Sequence, residues 1–460
     1  MSSSEEPKLK KALNLIQATF FGVGLILGAG IYVVIGAVAQ YAGNLTWLAV
    51  VLSGLIALFT GLSYAELSSM FPYASSSYYY TKEAMPNRQN VAFLVGWLLF
   101  FEAASGAATA SVGFSSYLLS LLYSLYPATT KLDAKLLMII LSVLIVMLFT
   151  LINYIGISES STVNIIFTLI EAFGLLVIII IGFTFGSVTP NYFEPANYGA
   201  YGIFLGASLF FFAYTGFELM ATTAEETVDA KYTMPKAIIM ALIVTTTLYL
   251  LVALATVRLV PWEHLTGGAP LATAAEAVLG TQGWFLLASI ALFSTSNTVL
   301  GFLVSSSRIS YGMAADGMLH PKLASVDKKH KTPLYTIILA MSVAIFEIVV
   351  AGYASDIRYD PTSGLLKVGG IISIVASSAN LGALIAFIFV NLAVILLRKR
   401  KKDIERPFKI PINVRDIPVF PILGLLLSML VIILTFHDII VWIITLIVLA
   451  LGLIIREIRE

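Results

Sequence analysis

The sequence predicts an all-α polytopic membrane protein with twelve transmembrane helices. Three observations predict it. The 460 residues are 59% hydrophobic and 12% charged, against about 45–50% and about 25% in an ordinary soluble domain. Twelve apolar segments reach the roughly 20 residues that a helix needs to cross a bilayer. All 27 basic residues fall at or beyond the ends of those segments. In water such a chain would leave most of its surface apolar, which excludes a soluble enzyme. A net charge of +1 excludes a disordered polyelectrolyte and a basic nucleic-acid binder. The absence of cysteine removes disulfides, thiolate nucleophiles and Cys-ligated zinc.

The segments lie at about 14–40, 46–70, 90–122, 135–155, 162–186, 200–224, 236–260, 283–312, 334–353, 366–397, 417–436 and 438–455. Residues 1–13 are polar, then basic, and run into an apolar segment too long for a signal peptide's core. They read as a cytoplasmic tail. Connections are short. The longest, 313–333, carries a basic cluster with His320 and His330. With the first loop inside, 22 Lys and Arg fall inside and 5 outside, namely Lys131, Lys135, Arg258, Arg358 and Lys367. The positive-inside rule then puts both termini in the cytoplasm, in a cell (plasma) membrane. Trp47, Trp262 and Trp284 fall at outer ends, as an aromatic belt requires.

Five acids stay inside the spans: Glu66, Glu102, Glu171, Glu218 and Glu347. A carboxylate at that depth is expensive unless it is paired, protonated or facing water. Two spans also carry glycines at mid-depth. Span one has Gly28-Ala29-Gly30, and span six has Ala213-Tyr214-Thr215-Gly216-Phe217-Glu218. These are corresponding positions in two five-helix halves. That pattern points to inverted repeats with a midplane site built from discontinuous helices, the plan of a secondary transporter. The bland alternative is that Gly24-x-x-x-Gly28 is a close helix-packing motif. Gly22-x-Gly24 has no strand–helix context for a nucleotide fingerprint.

At these residues the chain resembles the amino acid–polyamine–organocation (APC) superfamily, in its cationic-amino-acid-transporter-like amino acid permease branch. The resemblance runs through Gly28-Ala29-Gly30-Ile31-Tyr32, Tyr64-Ala65-Glu66-Leu67 with Phe71-Pro72, and Gly96-Trp97 with Glu102. It continues through Phe212 to Glu218 with Ala224-Glu225-Glu226, through Ser307 to Gly317, and through Arg406-Pro407-Phe408-Lys409-Ile410-Pro411. The resemblance implies a LeuT-like 5+5 inverted repeat over 14–397, with halves at about 14–186 and 200–397. A basic loop at 398–416 and two further helices with a tail at 417–460 would follow. It implies that backbone at Gly28, Ala29 and Gly30 holds a substrate carboxylate. Carbonyls near Ile26 and from Phe212 through Ala213 to Thr215, beside Gly216, would hold an α-amino group, with Phe212 as an aromatic gate.

Two departures stand out. Tyr73 to Tyr78 replaces a glycine-containing turn, and Glu171 stands where some proton-coupled relatives carry a lysine. The expected activity is amino acid transport by alternating access, as proton symport with sodium as the alternative ion. An exchanger or an amine or polyamine carrier is the runner-up on this fold. A membrane sensor or enzyme is the reading from another class. Glu171, Glu218 and Glu102 are the proton-coupling candidates. Ser296 and Asn297 are either cation ligands or interhelical hydrogen bonds. Glu218 is alternatively a rim acid bonded to backbone, and Glu102 a structural partner of Ser105. Glu66 reads as bonded to loop backbone or a basic residue, Glu225 and Glu226 as capping or pairing with Arg308 or the Lys231 loop, and Glu347 as packing or vestibule. Ser377, Ser378 and Asn380 are gate or packing. The partners expected are a small-molecule substrate, an ion and membrane lipid, with no nucleic acid. The histidines have no ligand spacing, and neither a metal nor a cofactor is implied.

The cysteine-free background makes the topology directly testable. With the 313–333 loop inside, Ser325→Cys should resist an impermeant thiol reagent in intact cells and react once the membrane is opened. Labelling from outside intact cells would invert the orientation.

Overall fold

The computed structural model describes residues 8–127, 129, 132–194, 198–265, 269–360, 365–415 and 417–459. Lys131 and residues 1–7 of the N-terminal tail lie outside the described residues, as does Asp416. Of Ala29 only the backbone is described. Among the described residues the chain is nearly all helical, as its composition requires. A backbone in hydrocarbon must satisfy its polar groups within itself, and the helix does so segment by segment.

The helices are α1 (Leu15–Ala42), α2 (Thr46–Met70), α3 (Ser77–Ala84), α4 (Gln89–Leu125), α5 (Ala134–Ile155), α6 (Ile157–Phe185) and α7 (Gly199–Phe210). They continue as α8 (Ala230–Leu259), α9 (Pro270–Leu279), α10 (Thr281–Ala315), α11 (Leu334–Ala354), α12 (Ile371–Arg400), α13 (Val419–Thr435) and α14 (Ile439–Arg459). α1 starts on a capping box in which the Asn14 and Gln17 side chains each accept the other residue's backbone N–H. Asp133 caps α5 by accepting from Lys135 N and Leu136 N.

Ten described helical stretches are long and apolar enough to cross a bilayer, where the sequence led us to expect twelve. The difference has two sources. Gly28 interrupts the first helix, leaving Leu15–Gly28 as a shorter apolar piece and the rest of α1 running on with α2 as one stretch, Gly30–Met70. α13 has 17 residues, about 26 Å at 1.5 Å per residue, slightly short of the hydrocarbon core. The tenth span also begins later than its hydropathy suggested. Leu365–Gly369 forms strand β2, paired antiparallel with β1 (Asp356–Asp360) in the register Asp356 to Gly369. α12 then starts at Ile371, after Gly370 takes φ 87°. A second small hairpin pairs β3 (Asn413–Val414) with β4 (Ile417–Pro418).

At the end of the bundle that carries the N-terminus, helix ends are tied by buried ions. Arg308 at the end of α10 is fully buried. It donates through Nε and Nη2 to both Glu226 oxygens at 2.9 Å, and through Nη1 to Asn153 of α5 at 2.6 Å. The Glu226 carbonyl accepts from Ala12 N and Leu13 N, which draws the start of α1 into the same knot. Beside it, Glu66 of α2 accepts from Arg398 Nε at 2.9 Å and from the Ile410 N–H at 2.9 Å. Arg406 Nε lies 3.5 Å from it. Two widely separated stretches that carry the family resemblance, Tyr64–Leu67 and Arg406–Pro411, therefore meet on one carboxylate. Lys82 of α3 adds a bond of 2.6 Å to Asp316, and Lys401 pairs with Glu83.

A buried pair with every donor used is tolerable, whereas a half-pair is not. Glu226→Gln should therefore cost about 3–5 kcal/mol by leaving Arg308 without its counter-charge. Thermal unfolding of the detergent-solubilised protein should show a clear fall in midpoint. An unchanged midpoint would mean that the knot contributes nothing to stability.

Candidate functional site

The two glycine-bearing spans both break, and they break against each other. In α1 the helical torsions fail at Gly28, with φ 8° and ψ −164°. In the sixth span α7 gives way to a 3-10 turn, Phe211–Tyr214, and then to extended backbone at Thr215 and to Gly216 at φ 114°. A side-chain-bearing residue rarely adopts that last conformation. A second 3-10 stretch, Glu218–Glu226, completes the span.

The breaks need small residues for space as well. A Cβ at Gly30 would stand 2.7 Å from the Ala213 Cα, and one at Gly28 would stand 2.5 Å from Thr298 Oγ1 of α10. One at Gly216 would meet the Leu25 carbonyl at 2.9 Å. Tyr249 of α8 is buried, and its hydroxyl lies 2.6 Å from the Ile26 carbonyl and 3.1 Å from the Ala213 carbonyl. One side chain thus touches both breaks.

Beside them lies a cavity of about 930 Å³. Ile26, Gly28, Gly30, Phe212, Ala213 and Thr215 line it. Phe212 is 39% exposed, while its neighbours Phe211 and Ala213 are buried. This ring therefore faces open space, as a gate over the breaks would. From the breaks the cavity runs past Ser116 and Tyr117 of α4 and Ile372 and Ser373 of α12 to Thr435 and Phe436. These residues sit toward the helix ends opposite the ion-paired knot. Ser377 and Asn380 line it too, whereas Ser378 bonds the Val441 carbonyl. The walls are mostly apolar, and Glu102 is the only charged residue among the described lining residues.

The coupling candidates separate sharply. Glu102 is buried at the cavity wall, and its carboxyl lies within hydrogen-bonding reach of the Glu218 carboxyl. A hydrogen bond between two carboxyl groups requires a proton on one of them. Glu218 is off the wall. Both its oxygens accept from the Gly216 N–H at 3.0 Å, so it also stitches the backbone just past the break. Ser105 does not serve Glu102: its hydroxyl donates to Glu347 at 2.9 Å.

Glu171 is fully buried away from the cavity. It lies beside Asn297, and both its carboxyl oxygens are buried without a hydrogen-bond partner among the described residues. Asn297 Nδ2 donates to Thr168 at 3.0 Å, and Asn297 Oδ1 accepts from Asn164 Nδ2 at 2.8 Å. This cluster packs on Gly24, where a Cβ would meet all three side chains within 2.8 Å. Asn297 thus makes interhelical hydrogen bonds, and Ser296 is buried off the cavity. Among the described residues no group of His, Cys, Asp and Glu is arranged to hold a metal. Sequence reasoning missed Tyr249, Thr298 and Phe302. Their types are unremarkable in membrane helices, and only the packing of distant spans brings them to the breaks.

With this geometry in hand, the comparisons with known proteins are decisive. The family model described as amino acid permease matches residues 13–453. The chain belongs to the amino acid permease family. This is a family of the APC superfamily, so the resemblance read from the motifs is correct. The chain is 31% identical over 448 residues to the branched-chain amino acid permease BcaP of Bacillus subtilis, covering 94% of this chain and 89% of that one. It is 30% identical to the methylthioribose transporter of the same organism, covering 92% and 88%. It is 27% identical to cationic amino acid transporter 4 of Homo sapiens, covering 87% of this chain and 61% of that one. These relatives are permeases and transporters. The permease is an integral membrane protein of a non-enzymatic family.

Gly30→Leu should abolish ligand binding, because its side chain would push the two breaks apart, while a folded protein survives detergent extraction. Phe212→Ala should weaken binding by about 1–3 kcal/mol for a lost aromatic contact. Both are read by equilibrium binding of labelled amino acids to the purified permease. Unchanged affinity in Gly30→Leu would move the site elsewhere.

Proposed function

We propose that this permease is a secondary transporter that moves neutral amino acids with apolar side chains by alternating access, driven by a proton. The observation that carries the reading is the meeting of two helix breaks, Gly30 against Ala213, on the wall of an apolar cavity that holds one carboxyl. Broken helices free backbone N–H and C=O groups at the same depth. Those groups match the carboxylate and ammonium that all α-amino acids share. The apolar remainder of the cavity suits an aliphatic side chain, in line with the name of the branched-chain relative. A dibasic substrate would need an acid for its second ammonium, and the one acid on the described wall, Glu102, is the coupling residue in this reading.

In this reading the knot of Arg308, Glu226, Glu66 and Arg398 closes the cytoplasmic end while the cavity faces outward. Turnover requires the knot to open as the outer ends of α4, α12 and α13 close. The LeuT-like pairing of two five-helix halves gives this motion its hinge points at Gly28 and Gly216. Glu102 is the coupling residue. It touches the cavity on one side and Glu218 on the other, so protonation at the wall reaches the break in span six within one hydrogen bond. Glu171, buried off the cavity beside the Asn164–Asn297–Thr168 cluster, is not the coupling residue in this reading.

Uptake into proteoliposomes tests this directly. Labelled leucine, isoleucine or valine should accumulate when the outside is acid, and a protonophore should abolish the gain. Failure of every amino acid to accumulate or exchange would overturn the substrate class. Glu102→Gln should flatten the pH dependence of uptake while preserving counterflow, and Glu171→Gln should retain it. The reverse pair of results would move coupling to span five.

A further inference from the structure

One buried carboxyl plays no part in the site described above. Glu347 lies at mid-depth in α11, a helix that contributes nothing to the cavity wall among the described residues. Part of the residue is exposed, yet Oε2 is buried and has no hydrogen-bond partner. Oε1 accepts from the Ser105 hydroxyl at 2.9 Å.

Glu347 also borders a small, partly open space of about 10 Å³, which it shares with Ala108, Thr109, Val112 and Ile372. That is about the room one water needs. Three of those walls, Thr109, Val112 and Ile372, line the large cavity as well. The chamber is therefore a side pocket of the substrate cavity, one residue thick from it. Ser105 stands three residues after Glu102 on α4, so the two are neighbours on the helix surface. The carboxyls of Glu218, Glu102 and Glu347 thus follow one another across α4.

A charged carboxylate with one hydrogen bond is costly at membrane depth. The elements packed on α11 offer no ion to balance it. α4 brings Glu102, of like charge. α5 brings Lys135, which is at its outer end and donates to the Tyr353 carbonyl. α10 brings Arg308 and α12 brings Arg398, both at the far end and both spent on Glu226 and Glu66. The 3-10 turn Pro321–Ala324 brings Lys322, at the start of α11.

We propose that Glu347 is a second proton site of the permease, exchanging its proton with the substrate cavity through the chamber behind Thr109. The proton arrives from a water in the chamber and binds Oε2, neutralising the carboxylate. It leaves by the same oxygen, returning to that water and the cavity. Ser105 holds Oε1 throughout, leaving Oε2 as the oxygen without a hydrogen-bond partner. A chamber of this size excludes an amino acid, so the site takes protons and no substrate. The inference rests on the proton-coupled reading.

Glu347→Gln keeps the shape and still accepts from Ser105 but cannot titrate. In proteoliposomes it should lower acid-driven accumulation of branched-chain amino acid at least fivefold. Counterflow at equal pH on both sides should stay within twofold of the parent, and Glu347→Asp should restore acid-driven accumulation. Infrared spectra of the purified protein in lipid should lose a protonated-carboxyl stretch in Glu347→Gln. A purely structural tie between α4 and α11 predicts that Glu347→Gln behaves as the parent in accumulation and that Ser105→Ala is the more damaging change. Parental acid-driven accumulation in Glu347→Gln, or a carboxyl stretch that survives the substitution, would overturn the proposal. If the parent itself shows no acid-driven accumulation, proton coupling falls, and the infrared band alone then decides Glu347.

Discussion

Backbone polar groups inside a bilayer have no water to turn to, and this constraint organises the whole permease. Most of the chain meets it with uninterrupted helix. Gly28 and Gly216 violate it at one depth, and the violation is sustainable only where the freed groups face a cavity or another part of the protein. Both kinds of relief are present. Gly30 rests on Ala213, the Tyr249 hydroxyl serves the Ile26 and Ala213 carbonyls, and Glu218 accepts from Gly216 N. The remaining groups border the cavity. The proposed binding site is the place where the membrane's demand on the backbone is left unmet by helix.

Charge is distributed by the same logic. Ions that hold the fold together are gathered at one end and fully paired. Arg308 has Glu226 and Asn153, and Arg398 has Glu66. Carboxyls without a cationic partner lie deeper: Glu218, Glu102 and Glu347 around α4, and Glu171 apart from them beside Asn297. The first group resists opening of its end of the bundle. The second group can change its charge only by exchanging protons. A transporter that couples opening to protonation needs both groups and needs them apart.

The elements that surround this core fit around it by small residues. Gly24 admits the Asn164–Asn297–Thr168 cluster to α1, and Gly106 lies so close to the Phe302 ring that a Cβ would stand 2.2 Å from it. Phe302 and Gly106 both line the cavity, so that contact sets part of its depth. α13 closes one side of the cavity through Val431 and Thr435, and Ser208 bonds Thr435 across the gap to α7. A helix beyond the first ten spans therefore shapes the cavity mouth.

The sequence by itself determined the class of protein, the order of most of its long apolar helices, the two breaks and the family. These follow from composition, from runs of about 20 apolar residues and from glycines that only a local backbone requirement explains. It also offered Arg308 as one of the partners of Glu226, and a basic or loop partner for Glu66, because a buried acid must find a donor. The tertiary structure decided which acids meet. A bond from Glu102 to Ser105 is one of two readings of the sequence, and the Glu102 carboxyl lies within reach of Glu218 of span six instead. Ser105 turns to Glu347, which had looked like mere packing. Glu171 was drawn toward the site by its alignment with a lysine, yet its helix faces Asn297 and not the cavity. Hydropathy reports depth in the membrane and periodicity reports the face of a helix, but neither reports which face of which neighbour it meets. That pairing arises from the packing of all the helices at once.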